Sequence, residues 1–145
     1  MANADTTVAQ RPQVNPQLRG GLVPHIMISD ASAASAFYQR AFGAVEVGRM
    51  PAEDGKRLMH CHLQFNGGSL TIMDASLVSG QQALAPLGFD IILPVDDIDR
   101  WWERAVAAGA KPLTPVQTMF WGDRYGQLED PFGVRWSLDE PAGAA

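Results

Sequence analysis

The 145-residue chain has one cysteine, no run of basic residues and no long apolar run, and each shortage removes a class of protein. Cys61 is its one cysteine, so no disulfide can form within the chain, which favours a reducing, cytoplasmic location. No apolar stretch approaches the roughly 18 residues that span a membrane, so we expect no membrane partner. The net charge is −5 and no run of Lys or Arg occurs. We therefore expect no nucleic-acid partner, because phosphates need a basic surface.

The two ends of the sequence lack the apolar pattern of folded elements. Residues 1–20 are polar, contain Pro12 and Pro16, and have no apolar segment of the kind found in signal peptides. We expect residues 1–20 to form a disordered N-terminal tail and residues 140–145 a C-terminal tail. The segment 21–139 is long enough to bury one core and is predicted to be a single domain.

The central segment contains an internal repeat. Asp30 recurs as Asp96, and Gly43 recurs as Gly109, each 66 residues later. In both copies an apolar strand leads to a residue suited to begin a helix, Asp30 or Ser32 in the first and Asp96 or Asp97 in the second. The amphipathic helix then stops at the glycine. The repeat therefore predicts that one supersecondary unit occurs twice.

Strand-like runs follow each predicted helix, separated by turn sequences such as Asp54-Gly55. Each half is thus predicted to have the order β-α-β-β-β, which gives an α+β domain. We place module one at 21–74, a linker at 75–87 and module two at 88–139. The predicted strands are 22–28, 45–50, 58–65, 69–73, 89–95, 111–118, 124–129 and 134–138, and the predicted helices are 31–42 and 98–108.

Five short blocks stand in the order of motifs found in one known superfamily. The blocks are 36–44 (AFYQRAFGA), 95–99 (VDDID), 107–110 (AAGA), 121–126 (WGDRYG) and 130–136 (DPFGVRW). They resemble the vicinal oxygen chelate (glyoxalase/bleomycin-resistance/dioxygenase) superfamily, and the last two resemble its PhnB-like branch. Val134 departs from that branch, which often has His there. The resemblance covers about residues 21–139.

The resemblance implies a fold and a class of partner. Two β-α-β-β-β modules form a curved, mostly antiparallel sheet with helices on the convex side and a ligand cavity on the concave side. Most members are homodimers, so a homodimer that binds a small molecule is expected here.

The resemblance also implies four strand positions that hold a divalent metal in superfamily enzymes. Counting along the sequence assigns these positions to Val23, to Thr71 or Met73, to Asp90 and to Ser137. Only Asp90 is a feasible ligand, since valine binds no metal and Ser137 stands where a Glu is expected. Catalytic zinc generally needs three protein ligands. We therefore expect no cofactor and no metal at the inherited position.

The three histidines offer a different chemistry. Alternation along the strand 58–65 places His60 and His62 on one side, which is predicted to face the cavity. Because imidazoles titrate near neutral pH, we take His25 and His62 as candidate catalytic residues. One alternative is a solvated or hydrogen-bonded pair of histidines. Another is a rearranged centre for Zn, Ni, Mn or Fe formed by His25, His62 and Asp90.

The segment 120–126 combines aromatic and cationic side chains with glycines. Arg124 can hold a carboxylate or phosphonate through two parallel bonds, while Trp121 and Tyr125 offer flat faces with one polar atom each. The expected ligand-binding residues are His60, Asp90, Trp121, Arg124, Tyr125 and Ser137. The alternative is that Asp123 and Arg124 only stabilise a hairpin turn.

Two functions remain open at this level. The first is a glyoxalase/bleomycin-resistance-like protein that binds a small organic ligand without a metal, favoured by the poor metal-ligand set and the aromatic segment. The second is a lyase, isomerase or dioxygenase, favoured by the histidines. The sequence contains no Gly-rich nucleotide-binding fingerprint.

Overall fold

The computed structural model describes residues 17–79 and 88–143. Most of the predicted N-terminal tail, most of the predicted linker and the last two residues lie outside this range. The described elements are β1 (His25–Ile28), α1 (Ala31–Phe42), β2 (Val45–Pro51), β3 (Leu58–Phe65), β4 (Gly68–Asp74), α2 (Ser76–Ser79), β5 (Ile91–Pro94), α3 (Ile98–Ala108), β6 (Lys111–Thr118), β7 (Arg124–Glu129) and β8 (Arg135–Glu140).

The eight strands form two hydrogen-bonded sheets with the same topology. The first has the order β1-β4-β3-β2 and the second β5-β8-β7-β6. In each sheet the pair formed by the first and last strands of the module is parallel, and the other two pairs are antiparallel. The predicted α+β fold, with the β-α-β-β-β order in both halves, is therefore confirmed.

The two long helices begin and end where the repeat predicted. The Asp30 carboxylate accepts a hydrogen bond from the Ala33 amide (3.0 Å), and Asp97 accepts one from the Arg100 amide (3.2 Å). Such bonds satisfy amides that have no partner inside the helix. Gly43 and Gly109 end the helices at φ values of 69° and 120°, which glycine adopts without strain.

Some boundaries differ from the prediction. β1 begins at His25 rather than residue 22, because Pro24 has no N–H with which to continue the ladder. β8 extends to Glu140, which was assigned to the C-terminal tail, and a short helix, Ser76–Ser79, lies in the predicted linker. No helix in 17–79 or 88–143 is long and apolar enough to cross a membrane.

The two modules share one core. On α1, the Tyr38 and Phe42 rings lie 5.4 and 4.8 Å, between centroids, from the Trp136 ring on β8. Trp101 of α3 stacks on Phe42 at 6.5 Å. All of these rings except that of Trp101 are almost fully buried. The helix of module one therefore packs directly on the sheet of module two.

Asp130 links the modules by hydrogen bonds. Its Oδ2 accepts from the Tyr38 hydroxyl (2.6 Å) and the Trp136 indole N–H (2.9 Å), and its Oδ1 accepts from the amides of Phe132 and Val134. Burial raises the pKa of the Asp130 carboxyl, and burial together with Asp130 raises the pKa of the Tyr38 phenol. The 130–136 block thus has a structural role.

Alternation along the strands gives each sheet one buried and one open face. In the first sheet, Ile72 and Cys61 face α1, whereas His62 and Thr71 face the other way. We call that other side the first open face, and the corresponding side of the second sheet, turned away from α3, the second open face. Burial and the contact with Glu46 raise the pKa of the Cys61 thiol to about 12, so thiolate chemistry is disfavoured.

Candidate functional site

His25 is held on the first open face by Thr71. The imidazole Nδ1 lies 2.8 Å from the Thr71 hydroxyl oxygen, and that hydroxyl donates to the Pro24 carbonyl at 3.2 Å. A hydroxyl has a single hydrogen, so His25 Nδ1 must be the donor in the first contact. The neutral ring then has its unprotonated nitrogen, Nε2, available on an exposed side chain.

His62 lies deeper on the same face. Its Nε2 is 2.8 Å from the Ser69 hydroxyl oxygen, and the residue is 3% exposed. Burial lowers the pKa of His62, and the neighbouring His60 lowers it further, so the neutral form is favoured. His60 is half-buried at the next position along this face.

Residues 17–24, which we call the N-terminal strap, cross the first open face. The Arg19 amide donates to the Ser69 hydroxyl (3.0 Å), and the Gln64 side-chain amide donates to the Gln17 carbonyl. The Pro24 carbonyl accepts from both the amide and the hydroxyl of Thr71. Much of the polar surface around His62 is therefore satisfied by the chain's own backbone.

The second open face has a cluster of four polar side chains, the Asp90 cluster, formed by Asp90, Tyr125, Gln127 and Ser137. The Ser137 hydroxyl donates to Asp90 Oδ2, and the Gln127 amide donates to the same oxygen at 3.2 Å. The Tyr125 hydroxyl lies 2.7 Å from Ser137 Oγ. The fold thus brings together Asp90, Tyr125 and Ser137, which the sequence analysis named. Gln127 was not predicted, although period-two alternation from Tyr125 on β7 was a signal for it.

Aromatic side chains border the Asp90 cluster. The Trp121 ring lies 6.0 Å from the Tyr125 ring in an edge-to-face arrangement, and Phe120 lies 4.8 Å from Trp121. Trp121 is 47% exposed and Phe120 is 96% exposed. Phe120 was not singled out from the sequence. Two large apolar rings therefore stand in solvent next to a partly buried polar group.

Arg124 is turned away from this cluster. Its guanidinium forms a two-pronged ion pair with Asp99 of α3, at 2.8 and 3.0 Å, and lowers the pKa of that carboxyl. Neighbouring residues of a strand point to opposite faces, so Arg124 faces the helix where Tyr125 faces outward. The structure therefore brings neither Arg124 nor His60, which lies on the first open face, into the Asp90 cluster. Asp123 accepts from the Ala142 amide, which fixes the loop before β7.

The described residues at the inherited metal positions do not fit a divalent metal. At the inherited positions the Thr71 hydroxyl is bonded to Pro24 and His25, and the Ser137 hydroxyl is bonded to Asp90. Within 17–79 and 88–143, no group of three or more His, Cys, Asp and Glu side chains is placed to hold a metal ion.

The rearranged centre considered from the sequence does not form within one chain. His25 and His62 both lie opposite Thr71, on its two sides, which separates them by about 10 Å across two strand spacings. Asp90 belongs to the other module. The alternative of a centre formed by His25, His62 and Asp90 is therefore wrong for a single chain, because β4 lies between the two histidine strands.

A cleft of about 180 Å³ lies where the modules meet. Its wall is mostly apolar and includes Phe65 and Leu70 of module one and Ile91 and Trp136 of module two. The Asn66 side chain donates to the Pro94 carbonyl at 3.0 Å beside it. This cleft contains none of the histidines and none of the Asp90 cluster.

Comparison with known proteins agrees with this architecture. Residues 22–138 match the model of the Glyoxalase/Bleomycin resistance protein/Dioxygenase superfamily. The uncharacterized protein Rv0887c of Mycobacterium tuberculosis is 41% identical over 126 residues, which is 83% of this chain and 74% of that protein. The structure of TioX from Micromonospora superposes with a TM-score of 0.67 at 26% identity, covering 83% of this chain and 98% of TioX.

Two further structures share the fold at lower identity. TnmS3, an antibiotic binding protein from Streptomyces, has a TM-score of 0.63 at 22% identity, covering 83% of this chain and 93% of TnmS3. The PhnB protein from Bacillus cereus has a TM-score of 0.62 at 15% identity, covering 84% of this chain and all of that one. The chain belongs to the Glyoxalase/Bleomycin resistance protein/Dioxygenase superfamily.

Proposed function

We propose that the protein binds a small organic ligand on the second open face, without a metal centre. One observation carries the proposal: residues from three separate segments, at Asp90, Tyr125 and Ser137, form one hydrogen-bonded cluster beside exposed aromatic rings. Exposed aromatic surface next to a few fixed polar groups is the usual composition of a small-molecule site.

The kinds of protein that share this fold support a binding role. TnmS3, which has the same fold, is an antibiotic binding protein. The donor set at the inherited metal positions does not suit a metal, and a binding protein has no need of one. We place the protein in the cytoplasm, where its one unpaired thiol remains reduced.

We propose that a second copy of the chain completes the site. Large apolar side chains stand exposed on both open faces: Met27 on β1, Val45 on β2 and Ile92 on β5. A two-fold symmetric dimer would cover such patches and deepen the shallow face into a cavity. Size-exclusion chromatography with light scattering should give the mass of a dimer at micromolar concentration, and a monomer mass would contradict this proposal.

A thermal-shift screen with a panel of flat aromatic compounds tests the binding role. A true ligand raises the melting temperature of the wild type, does so less for Trp121→Ala, and is recovered unchanged by mass spectrometry. Val47→Ala, a substitution of another exposed apolar residue on the edge strand β2, serves as the control. Stabilisation by the ligand that is the same in Trp121→Ala as in the wild type would place binding elsewhere and contradict the proposal.

The alternative function is an enzyme of the lyase, isomerase or dioxygenase kind. It is favoured by His25, whose orientation and tautomer are set by Thr71 and whose Nε2 is free to take a proton. If mass spectrometry finds a new product that the His25→Gln variant no longer forms, the protein is an enzyme that uses His25. The proposal that it only binds its ligand is then wrong.

A further inference from the structure

The hydrogen bonds of the Asp90 cluster all run in one direction. The Ser137 hydroxyl donates its single hydrogen to Asp90 Oδ2, so it can only accept from Tyr125. The Tyr125 hydroxyl must therefore be the donor to Ser137. The Gln127 amide also donates to Asp90 Oδ2. Every donated hydrogen thus ends on the same carboxylate oxygen or on the hydroxyl beside it.

This direction decides what the cluster can offer a ligand. Asp90 Oδ1 and the lone pairs of the Tyr125 oxygen are the acceptors left for a ligand. The Gln127 carbonyl oxygen already accepts from the Thr114 hydroxyl, and the donors of the cluster are engaged within it. A ligand carboxylate or phosphate would find lone pairs facing its own lone pairs, which leaves both partners unsatisfied. A ligand that brings N–H groups would complete the network.

The charge of the cluster points the same way. The described residues form three ion pairs, Glu46–Arg49, Asp54–Arg57 and Asp99–Arg124, so no described cation is paired with Asp90. Arg135 lies on the same face as Ser137, about 7 Å along β8, but it stands opposite Glu129 on β7. Residues 80–87, which precede the segment that contains Asp90, have no Lys or Arg.

A second carboxylate lies on this face. Asp139 is the partner of Tyr125 across β7 and β8, and burial together with Asp123 raises the pKa of Asp139. A cation bound nearby would stabilise the ionised form of both Asp90 and Asp139. Such a cation would also lie close to Trp121 and Tyr125, whose ring faces attract positive charge.

We propose that the ligand is an organic cation, a primary ammonium on a flat aromatic body, whose N–H groups donate to Asp90 Oδ1 and whose ring packs on Trp121. This inference rests on the proposed function and narrows it to one chemical class. It treats Asp90 as the residue that selects charge and Trp121 as the residue that holds the aromatic body.

Three probes with one ring system test the charge selection: 2-naphthylmethylamine, 2-naphthalenemethanol and 2-naphthoate, titrated into the full-length protein by isothermal calorimetry. The amine should bind about tenfold or more tighter than the alcohol, since a charge-assisted hydrogen bond contributes that much. The naphthoate should bind weakest. Raising the salt concentration should weaken the amine alone.

Paired variants separate charge selection from binding as such. Asp90→Asn keeps the shape of the side chain and should remove about tenfold of the amine's affinity while leaving the alcohol unchanged. Asp99→Asn removes the same charge from the outer side of α3, away from the cluster, and should leave all three affinities unchanged. The melting temperature of each variant verifies that it folds. The salt dependence of amine binding tests charge selection in the wild type, so it does not depend on any variant folding.

The outcomes distinguish this inference from the proposed function. Equal binding of the three probes, or tighter binding of naphthoate, overturns the cation inference. If that binding is lost in Trp121→Ala, the proposed site itself still stands. Amine binding that Asp90→Asn does not weaken also overturns it. If no probe binds at millimolar concentration, the aromatic ammonium class is wrong. If neither Asp90→Asn nor Trp121→Ala changes probe binding, the ligand binds elsewhere and the proposed site is wrong.

Discussion

The two open faces use the same strand topology to different ends. Each has a hydroxyl on the last strand of its module, Thr71 in the first and Ser137 in the second. Thr71 donates to a backbone carbonyl of the N-terminal strap, whereas Ser137 donates to the Asp90 carboxylate. The Thr71 hydroxyl therefore binds the chain's own backbone, whereas the Ser137 hydroxyl holds a charged carboxylate on the second open face.

The difference shows where a ligand finds unmet hydrogen-bonding capacity. On the first open face, the strap satisfies Ser69, Thr71 and the Gln64 amide. On the second, acceptors remain unpaired beside two exposed rings. A repeated scaffold thus does not imply a repeated site, because the site depends on which polar groups the chain leaves for another molecule.

The largest expected effect tests whether the two faces belong to one cooperative unit. Asp130→Ala leaves the Tyr38 hydroxyl, the Trp136 indole and two amides without their partner, and should lower the free energy of unfolding by about 3–5 kcal/mol. Urea unfolding followed by fluorescence and circular dichroism measures this. Asp96→Ala, at an exposed carboxylate, is the control. A loss below about 1 kcal/mol would mean that the modules are held together in another way.

A matched glycine pair compares the packing of the two sheets. In the second sheet, a Cβ on Gly126 would lie 2.7 Å from Cζ3 of Trp102, so Gly126→Ala should lower the unfolding free energy by about 1–3 kcal/mol. In the first sheet, a Cβ on Gly48 would meet no atom within 4 Å, so Gly48→Ala should leave stability nearly unchanged. Equal denaturant midpoints for the two variants would show that Trp102 moves aside easily.

Two serine variants test the strap directly. Ser69→Ala removes the acceptor of the Arg19 amide and the partner of His62, and should lower stability by about 1 kcal/mol while speeding hydrogen exchange at the Arg19 amide. Ser137→Ala should leave that exchange rate unchanged. If exchange at Arg19 is as fast in the wild type as in Ser69→Ala, the strap does not protect the first open face.

The smallest effect is a dependence on acid that belongs to the first module. The hydrogen bond from Arg49, helped by Ser35 and Cys61, lowers the pKa of Glu46 from 4.5 to about 2. The stability from this carboxylate is therefore complete above about pH 4.5 and is lost as the pH falls through about 2. Glu46→Gln should be less stable than the wild type by at most about 1 kcal/mol at pH 6.

That difference should shrink as the pH falls towards 2. Unfolding free energies measured at pH 6, 4 and 2.5 give the comparison, and Glu53→Gln, at an exposed residue of the loop after β2, is the control. A gap between wild type and Glu46→Gln that stays constant across these values would show that protonation of Glu46 does not matter for stability.

The elements with local signals were predictable from the sequence. The helix limits follow from Asp30, Asp97 and the two glycines that end the helices, since capping depends on neighbouring residues. The four-residue helix Ser76–Ser79 has no such signal and was missed. Pro24 shortened β1 by removing a donor, which a pattern of apolar residues does not show.

The candidate site was predictable only in part. Asp90, Tyr125 and Ser137 meet because the register of β5, β7 and β8 aligns them, and alternation along strands anticipates such alignment. Arg124 is next in sequence to Tyr125, yet the same alternation sends it to α3. The strap was missed because it binds through backbone atoms of residues 17–24, which any sequence would provide.

The bond between Tyr38 and Asp130 joins residues 92 positions apart, and this distance bears on how the protein is made. During synthesis the first module leaves the ribosome before Asp130 and Trp136 exist. Until they arrive, the Tyr38 and Phe42 rings lack Trp136, and only contacts within module one, such as Phe42 on Phe65, cover them. Contacts this distant in sequence also form slowly. The N-terminal half of the newborn chain therefore passes through a stage with exposed aromatic surface, which a chaperone would recognise.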